Sequence, residues 1–331
     1  MSSAGPDVRA VHTACTVPGH EPPFDTAHLK VFYPAAPTGD MTERMTGVVA
    51  ADAAGAPYPV VVLLNGINVS ADSYRWLAVE LVRRGYVVVT FTFVAEVFGT
   101  GVAVSPGIDV DVLRPDAFGS APCGTAVQAV LDAVAKTGGP LEGLLDLDRV
   151  ALGGHSGGGT VALQSANPAW FPQVRAAFTY GSHAMASTVL GWEQGHVMDL
   201  SDDVAVMLLT GEHDGVMAAS AVRYGEEGDA DRVDPVARTF DRSFAGGRGD
   251  VHHVVMRGAN HFTVAHPLDP TSARSFLDEP ATGDEDVARA GIAEAVGLFL
   301  DAALRDDAAA RAELATWTTA PPPAVLSARS K

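Results

Sequence analysis

A glycine-rich turn at residues 154–158 constrains the fold of this chain more than any other feature. The turn has the sequence GHSGG, and the segment before it, residues 147–153, is typical of a short buried strand. Residues 159–166 after it have helical character and end at an Asn-Pro pair. A G-x-S-x-G sequence between a strand and a helix is typical of a nucleophile elbow, a tight turn that presents its serine at the top of a sheet. We therefore expect Ser156 to be held in such a turn.

Strand and helix patterns alternate along most of the chain. Apolar runs typical of buried strands occur at residues 59–64, 86–93, 174–180, 204–209 and 251–256. Helical spacing of apolar residues follows Ser70 and returns at residues 126–134 and 287–304. This order predicts an α/β protein with a mostly parallel, doubly wound sheet of about eight strands flanked by helices. We expect residues 1–317 to form one domain.

Three segments are predicted to lie outside this regular core. Residues 38–56 are rich in Ala, Gly and Thr and are typical of a loop, which follows an antiparallel pair of strands at residues 11–17 and 29–33. Residues 215–250 include a long acidic connection that could form a small lid or a surface loop. The tail at residues 318–331 contains three consecutive prolines, and we expect it to be disordered.

The composition restricts the classes of partner. The formal net charge is −18, and only 3 of the 331 residues are lysines, so binding to nucleic acid or to an anionic membrane surface is not expected. The first residues have no apolar core typical of a secretory signal, and no apolar run is long enough to span a membrane. Cys15 and Cys123 are isolated. We expect a cytoplasmic protein with reduced cysteines.

Three residues that could act together follow three different predicted strands. Ser156 lies in the elbow, Asp214 follows the strand at residues 204–209, and His261 follows the strand at residues 251–256. Functional groups in a parallel sheet gather at the carboxyl ends of the strands. A serine becomes a good nucleophile when an imidazole takes its proton and a carboxylate orients that imidazole. Glu212 is the rival acid, and His266 is the rival base.

Two backbone amides are candidates for an oxyanion hole. Gly157 follows the nucleophile at the start of the predicted helix, and Ile67 follows the apolar strand at residues 59–64 through Gly66. Amides at these two positions could both point at the oxygen of a tetrahedral intermediate. Asn68 is a secondary candidate, and the Asn-Gly pair before Ile67 is also explained by an ordinary turn.

These motifs together resemble those of α/β-hydrolase carboxylesterases, and most of all the group that contains chlorophyllases, dienelactone hydrolases and cutinase-like polyester hydrolases. The resemblance extends over residues 60–304 and implies the α/β-hydrolase fold with a Ser-Asp-His triad and no cofactor. That family often carries a bulkier residue where this chain has Gly157. The segments that carry the resemblance are residues 154–159 (GHSGGG), 64–66 (LNG), 73–77 (SYRWL), 84–89 (RGYVVV) and 258–262 (GANHF).

The predicted activity is cleavage of an uncharged, apolar or aromatic small-molecule ester. Loops after the strands are rich in Val, Phe and Met and should line the substrate pocket. We expect Asn68, His155, His183 and Phe262 to contact the substrate. No metal site is expected, because the histidine and aspartate pairs lack ligand spacing. A thioesterase, amidase or peptidase could use the same triad, and a non-catalytic ligand receptor on this scaffold is a further alternative. The oligomeric state is open.

Overall fold

One large mixed sheet connects the beginning and the end of the chain. The structure is a computed structural model that describes residues 6–97, 101–224 and 234–331. Within these residues there are ten strands in the order β1-β2-β4-β3-β6-β7-β8-β9-β10, with β5 paired to β4. The strands are β1 (Asp7–Thr16), β2 (Thr26–Ala35), β3 (Tyr58–Leu64), β4 (Val87–Val97), β5 (Gly101–Val104), β6 (Leu145–His155), β7 (Val174–Tyr180), β8 (Ala205–His213), β9 (Val251–Asn260) and β10 (Val325–Ser330).

The predicted α/β class is confirmed, but the prediction of about eight mostly parallel strands needs correction. The central strands β4-β3-β6-β7-β8-β9 pair in parallel. The flanking pairs β1-β2, β2-β4, β4-β5 and β9-β10 are antiparallel. The antiparallel opening predicted from the first two apolar segments is present as β1 and β2. The parallel part is the part that carries the elbow.

Helices cover both faces of the sheet. The helices of the described residues are α1 (Met41–Thr46), which buries no residue, and α2 (Arg75–Arg83), α3 (Val127–Ala135), α4 (Gly157–Ser165), α5 (Gly215–Ser220), α6 (Pro235–Arg242), α7 (Glu285–Leu304) and α8 (Ala308–Thr316). The strand β3 shows why two cores form. Alternate β3 residues Val60 and Val62 belong to the same buried cluster as side chains of α3, α4 and α6, whereas Val61 and Leu63 belong to the cluster that contains side chains of α2, α7 and α8. A strand that is covered on both faces needs a continuous apolar run, which β3 has.

The predicted disordered tail is wrong, because β10 pairs with the edge of β9. Backbone hydrogen bonds also join the amide and carbonyl of Lys331 to Val251. The side chain of Val325 is fully buried. The strand at residues 251–256 is therefore not the last one, and the boundary expected at residue 317 does not separate the tail from the sheet. A sheet edge with unpaired amides and carbonyls favours the addition of a further strand. The proline run does not prevent this pairing, because β10 begins after it.

Two further predictions about the connections are modified. The predicted loop at residues 38–56 contains the short helix α1, which Asp40 caps by accepting a hydrogen bond from the Glu43 amide and Gly47 ends with a left-handed conformation. The predicted lid at residues 215–250 contains α5 and α6, and its residues 225–233 lie outside the described residues. No helix in the described ranges is both long and apolar enough to cross a membrane.

Candidate active site

Ser156 occupies a strained turn between a strand and a helix. The strand β6 ends at His155 and the helix α4 begins at Gly157, so that Ser156 alone makes the turn. Its φ of 53° is uncommon for a residue other than glycine and is typical of strained functional positions. The Ser156 amide donates a hydrogen bond to the carbonyl of Tyr180, 3.0 Å away, which fixes the turn to the neighbouring strand β7.

The glycines of the motif are required by close backbone contacts. A Cβ atom at Gly154 would lie 2.2 Å from the carbonyl oxygen of Gly158. A Cβ atom at Gly158 would lie 2.3 Å from the carbonyl oxygen of Leu64 in β3. Side chains at these positions would force the helix α4 away from the strands. The spacing of the G-x-S-x-G sequence therefore follows from how tightly α4 packs against β3 and β6.

His261 and Asp214 form a buried hydrogen-bonded pair. The Nδ1 atom of His261 is 2.9 Å from Oδ2 of Asp214, and their side chains are 1% and 5% exposed. Asp214 directly follows β8, and His261 directly follows β9. The other carboxylate oxygen, Oδ1 of Asp214, accepts a hydrogen bond from the Met217 amide. An imidazole whose Nδ1–H is bound to a carboxylate keeps its Nε2 atom available to accept a proton.

The sheet order brings this pair next to the elbow. Gly181, which follows the Tyr180 carbonyl bound by Ser156, has a φ of 60°. A Cβ atom at Gly181 would lie 2.7 Å from Nδ1 of His261 and 2.9 Å from Oδ2 of Asp214. The imidazole rings of His155 and His261 are also in contact, with centroids 4.7 Å apart. His261 and Asp214 thus pair at the carboxyl ends of β9 and β8, and the His261 ring contacts His155, the residue that precedes Ser156 at the end of β6.

The rival acid and base have other positions. Glu212 accepts a hydrogen bond from the Gly258 amide at 2.8 Å. His266 is exposed, and its amide donates a hydrogen bond to the carbonyl of Ser73. The structure therefore pairs His261 with Asp214 and places neither rival in that pair.

The two candidate oxyanion amides are neighbours. A Cβ atom at Gly157 would lie 4.0 Å from the amide nitrogen of Ile67 and 3.1 Å from its Cγ1 and Cδ1 atoms. The side chain of Ile67 therefore covers Gly157. Asn68 lies further along, where its amide donates to the carbonyl of Val104 and its carbonyl accepts from Ser272. Residues 65–68 are called the oxyanion loop below.

A cavity of about 340 Å³ opens at Ser156. Its wall is largely apolar but includes two arginines. Of the predicted site residues, Ser156, Gly157, Ile67 and His183 line it. The lining residues are Ile67, Ile108, Val110, Leu113, Ser156, Gly157, Thr160, Ser182, His183, Ser187, Val189, Leu190, Val216, Met217, Ser220, Arg223, Tyr224 and Arg274.

Three residues predicted to contact substrate lie elsewhere. His155 is 2% exposed, and both of its ring nitrogens are bonded to the protein, to Tyr74 and to the carbonyl of His261. Phe262 is buried against the rings of His155 and His261. Asn68 is absent from the cavity wall as described above. A position at the end of a strand does not by itself bring a side chain to the cavity, because the side chain can also turn into the protein core. These three side chains do not line the cavity.

His183 does line the cavity, and it is held there as a neutral ring. Its Nδ1 atom accepts a hydrogen bond from the Met185 amide at 3.1 Å, and its ring packs edge-on against Tyr224. The pKa of His183 is lowered to about 4, mainly because the ring is buried; Asp214 acts to raise this pKa, and the charges of Arg223 and His261 act to lower it. The pKa of His155 is lowered well below the usual range, first by burial and then by the nearby His261.

The sequence analysis missed Asp278, which joins the acid and base loops. Its Oδ1 atom accepts a hydrogen bond from the Gly215 amide, next to Asp214, at 2.9 Å. Its Oδ2 atom accepts one from the Phe262 amide, next to His261, at 3.2 Å. Burial raises the pKa of the Asp278 carboxyl. No signal in the sequence distinguishes this aspartate from others in the acidic chain.

The cavity arginines Arg223 and Arg274 were missed as well. Both lie in connections that follow the strands β8 and β9, which is a weak signal for a place near the site. A metal ion has no evident position, because the residues in the described ranges include no group of three or more His, Cys, Asp or Glu side chains suited to hold one.

Comparisons with known proteins agree with the fold. No protein-family model and no curated protein sequence matches the chain. Among solved structures, a ferulic acid esterase from Streptomyces cinnamoneus is similar over 92% of this chain and 92% of its own, with a TM-score of 0.58 and 18% sequence identity. At this identity the similarity shows that the two chains share a fold.

Proposed function

We propose that the protein is a serine hydrolase that cleaves carboxylic esters through an acyl-enzyme intermediate. Ser156 is the nucleophile, His261 is the general base and then the general acid, and Asp214 orients the imidazole. The observation that carries this proposal is the hydrogen bond of 2.9 Å between His261 and Asp214, buried beside a serine in a strained elbow. The similarity in fold to a ferulic acid esterase supports an ester as the substrate.

The first half of the reaction forms the acyl-enzyme. The Nε2 atom of His261 takes the proton of the Ser156 hydroxyl while the Oγ atom attacks the ester carbonyl. The resulting imidazolium is stabilised by the carboxylate of Asp214. The tetrahedral intermediate then collapses, and the leaving alcohol takes the proton from His261. In the second half, a water molecule loses its proton to the same imidazole, attacks the acyl carbonyl and releases Ser156.

The oxyanion of each tetrahedral intermediate is bound by the amides of Gly157 and Ile67. Gly157 is the first residue of α4, where amides are not used by the helix itself. The partial positive charge at this helix end adds to the stabilisation of the oxyanion. A single donor of this kind typically accounts for a rate factor of about 10² to 10³.

The cavity suits the apolar or aromatic body of an ester. Ile108, Val110 and Leu113 approach from the connection after β5, and Val216 and Met217 from α5. A volume of about 340 Å³ is within the range of small-molecule sites. The chemistry proposed uses only residues of the chain.

Labelling with a fluorophosphonate probe tests the nucleophile. The probe should attach to Ser156, and the variant Ser156→Ala should lose both labelling and hydrolysis of p-nitrophenyl esters. Loss of the nucleophile in triad enzymes costs a factor of about 10⁶ in kcat. The matched control is Ser165→Ala, which removes a buried serine of the same helix that lies outside the cavity wall. Ester turnover that survives in Ser156→Ala contradicts the proposal.

A second measurement separates the remaining alternatives. Leaving-group preference is set by the pocket, so a thioesterase, amidase or peptidase could use the same three residues. A panel of acyl-CoA thioesters, peptides and p-nitrophenyl esters of graded chain length ranks these activities by kcat/KM. A folded protein that reacts with neither the probe nor any of these substrates would instead be a ligand receptor.

A further inference from the structure

Two arginine side chains line the same cavity as the candidate nucleophile. Arg223 belongs to the 3-10 turn Ala221–Tyr224 that follows α5, and Arg274 precedes the 3-10 turn Ser275–Leu277 between β9 and α7. Both side chains are half-buried. The remainder of the wall is apolar or carries uncharged polar groups apart from the imidazole of His183. Among the described residues of the wall, the charged side chains are these two arginines, so the charge of this part of the wall is positive.

The turn that carries Arg223 is hydrogen-bonded to the segment at residues 188–195. The carbonyl of Arg223 accepts a hydrogen bond from the Thr188 hydroxyl at 2.9 Å. The carbonyl of Tyr224 accepts one from the Gly195 amide at 3.1 Å. These contacts hold the arginine at the cavity rather than in a free surface loop.

Neither arginine has a carboxylate partner among the residues that the structure describes. The only hydrogen bond of the Arg223 guanidinium in this part of the chain joins Nη2 to the Ser220 hydroxyl at 3.3 Å. Other arginines of the chain do form ion pairs: Arg84 and Arg289 each contact two carboxylates. The chain has 40 acidic residues, and yet within the described ranges no carboxylate pairs with either arginine of this cavity.

Two described carboxylates of the site, Asp214 and Asp278, have other partners. Asp214 binds His261 and the Met217 amide, and Asp278 binds the amides of Gly215 and Phe262. Arg223 and Arg274 are close enough to repel each other. Burial lowers the pKa of Arg274, and the charge of Arg223 lowers it further. Two like charges in a partly desolvated wall are costly unless an anion lies between them.

We propose that the ester hydrolysed at Ser156 carries a carboxylate, which Arg223 and Arg274 bind while the ester carbonyl lies at the oxyanion loop. This inference rests on the proposed ester hydrolysis and narrows its substrate class. A guanidinium offers a planar pair of N–H donors that matches the two oxygens of a carboxylate. The uncharged ester expected from the sequence is thereby replaced by an ester with an apolar body and one anionic end.

Matched pairs of esters test the charge without changing the shape. The first pair is para-acetoxybenzoate and para-acetoxybenzamide, in which the charge lies on the leaving group. The second pair is the p-nitrophenyl hemiester of adipic acid and its methyl ester, in which the charge lies on the acyl group. We expect kcat/KM for the carboxylate of at least one pair to exceed that of its neutral partner by about tenfold or more, and added salt to reduce the excess. Equal values in both pairs overturn the inference.

Substitutions identify the groups responsible. Arg274→Gln and Arg223→Gln should each reduce the ratio of anionic to neutral kcat/KM by about tenfold, since hydrogen bonds between charged groups typically contribute that much or more. Arg274→Lys should retain part of the ratio, because it keeps the charge and loses the planar fork. The control Arg175→Gln makes the same change in net charge at the start of β7, away from the cavity, and should keep the wild-type ratio. A ratio that is insensitive to both cavity arginines contradicts the inference.

Equilibrium binding separates a failure of this inference from a failure of the proposed function. The acid para-hydroxybenzoate should bind the wild-type protein more tightly than para-hydroxybenzamide, and Arg223→Gln and Arg274→Gln should remove the difference in titration calorimetry. Preferential binding of the acid by a protein that hydrolyses no ester would support the anion site and reject the hydrolase. Hydrolysis of neutral esters together with equal binding of acid and amide would support the hydrolase and reject the anion site. If phenyl phosphate bound more strongly than para-hydroxybenzoate and para-hydroxybenzamide, a carboxylate would be rejected as the ligand.

Discussion

The hydroxyl oxygen of Tyr74 lies 2.8 Å from Nδ1 of His155, and this contact links the oxyanion loop to the elbow. The Gly66 amide donates to the same hydroxyl at 3.0 Å. On the other side of the ring, Nε2 of His155 is 3.0 Å from the carbonyl of His261. Because a carbonyl only accepts, Nε2 carries the proton, Nδ1 accepts from Tyr74, and the hydroxyl accepts from Gly66. One buried chain of hydrogen bonds thus joins the loops of the three functional elements.

Removing this hydroxyl tests whether the chain positions the site. In Tyr74→Phe, the Gly66 amide and Nδ1 of His155 lose their buried partner. We expect kcat to fall about tenfold with a smaller change in KM, and the free energy of unfolding to fall by about 1–3 kcal/mol. The matched control is Tyr33→Phe, which removes a buried hydroxyl bonded to the Val49 carbonyl outside the site. A control that loses as much kcat as Tyr74→Phe would show that the loss reflects stability alone.

Asp278→Asn tests the joint between the acid and base loops. The amide group of asparagine turns a donor toward the Gly215 or Phe262 amide, so that one of the two bonds to the loops is lost. We expect kcat/KM to fall by about tenfold, because a small displacement of a catalytic group is costly. Asp269→Asn is the control, since the carboxylate of this exposed residue in the same connection accepts hydrogen bonds from Thr271 and Ser272 of its own turn. Equal activity of Asp278→Asn and the wild-type protein would exclude a positioning role.

The buried histidines of β9 predict a loss of stability in acid. Burial lowers the pKa of His252 and His253 to about 4, whereas an unfolded histidine has a pKa near 6.5. Between these values the unfolded chain binds more protons than the folded chain. The free energy of unfolding therefore keeps its full contribution from these histidines above about pH 6.5. It declines as the pH falls toward about 4, by up to about 1.4 kcal/mol per pH unit for each histidine.

Urea unfolding at a series of pH values measures this decline. His252→Gln should flatten the dependence of the unfolding free energy on pH by the share of one histidine. The control His28→Gln replaces an exposed histidine of β2 and should leave the slope as it is. A slope that does not differ between His252→Gln and the wild-type protein would contradict the assignment of the decline to this side chain.

Removing residues 321–331 tests the role of β10. The truncation exposes the edge of β9 and the pocket of the buried Val325 side chain. We expect a lower free energy of unfolding and concentration-dependent self-association, since open strand edges pair with other chains. Urea unfolding and light scattering measure the two effects. Arg329→Gln removes the guanidinium contacts with Asp241, His253 and Phe240 but keeps the strand, so this variant should remain monodisperse. A stable, monodisperse truncated protein would show that β10 is dispensable.

The sequence predicted features that depend on local pattern, and missed those that depend on distant contacts. The apolar run at residues 59–64 predicts a strand covered on both faces, and the glycines around Ser156 predict the elbow. Both features depend on residues that are close together in the sequence. By contrast, the direction of the His155 side chain depends on Tyr74, and the strand β10 depends on an edge that β9 leaves open. Arg223 and Arg274 come from two separate connections, so no local pattern places them in one cavity.

The way in which Ile67 covers Gly157 has a consequence for changing the substrate range. A side chain at position 157 would place its first carbon 3.1 Å from Cγ1 and Cδ1 of Ile67, which is tighter than an ordinary contact, but 4.0 Å from the Ile67 amide nitrogen. The outer atoms of Ile67 would therefore have to shift by a few tenths of an ångström. A substitution at position 157 is best combined with a smaller side chain at position 67, so that the adjustment does not reach the amide that the oxyanion is proposed to require.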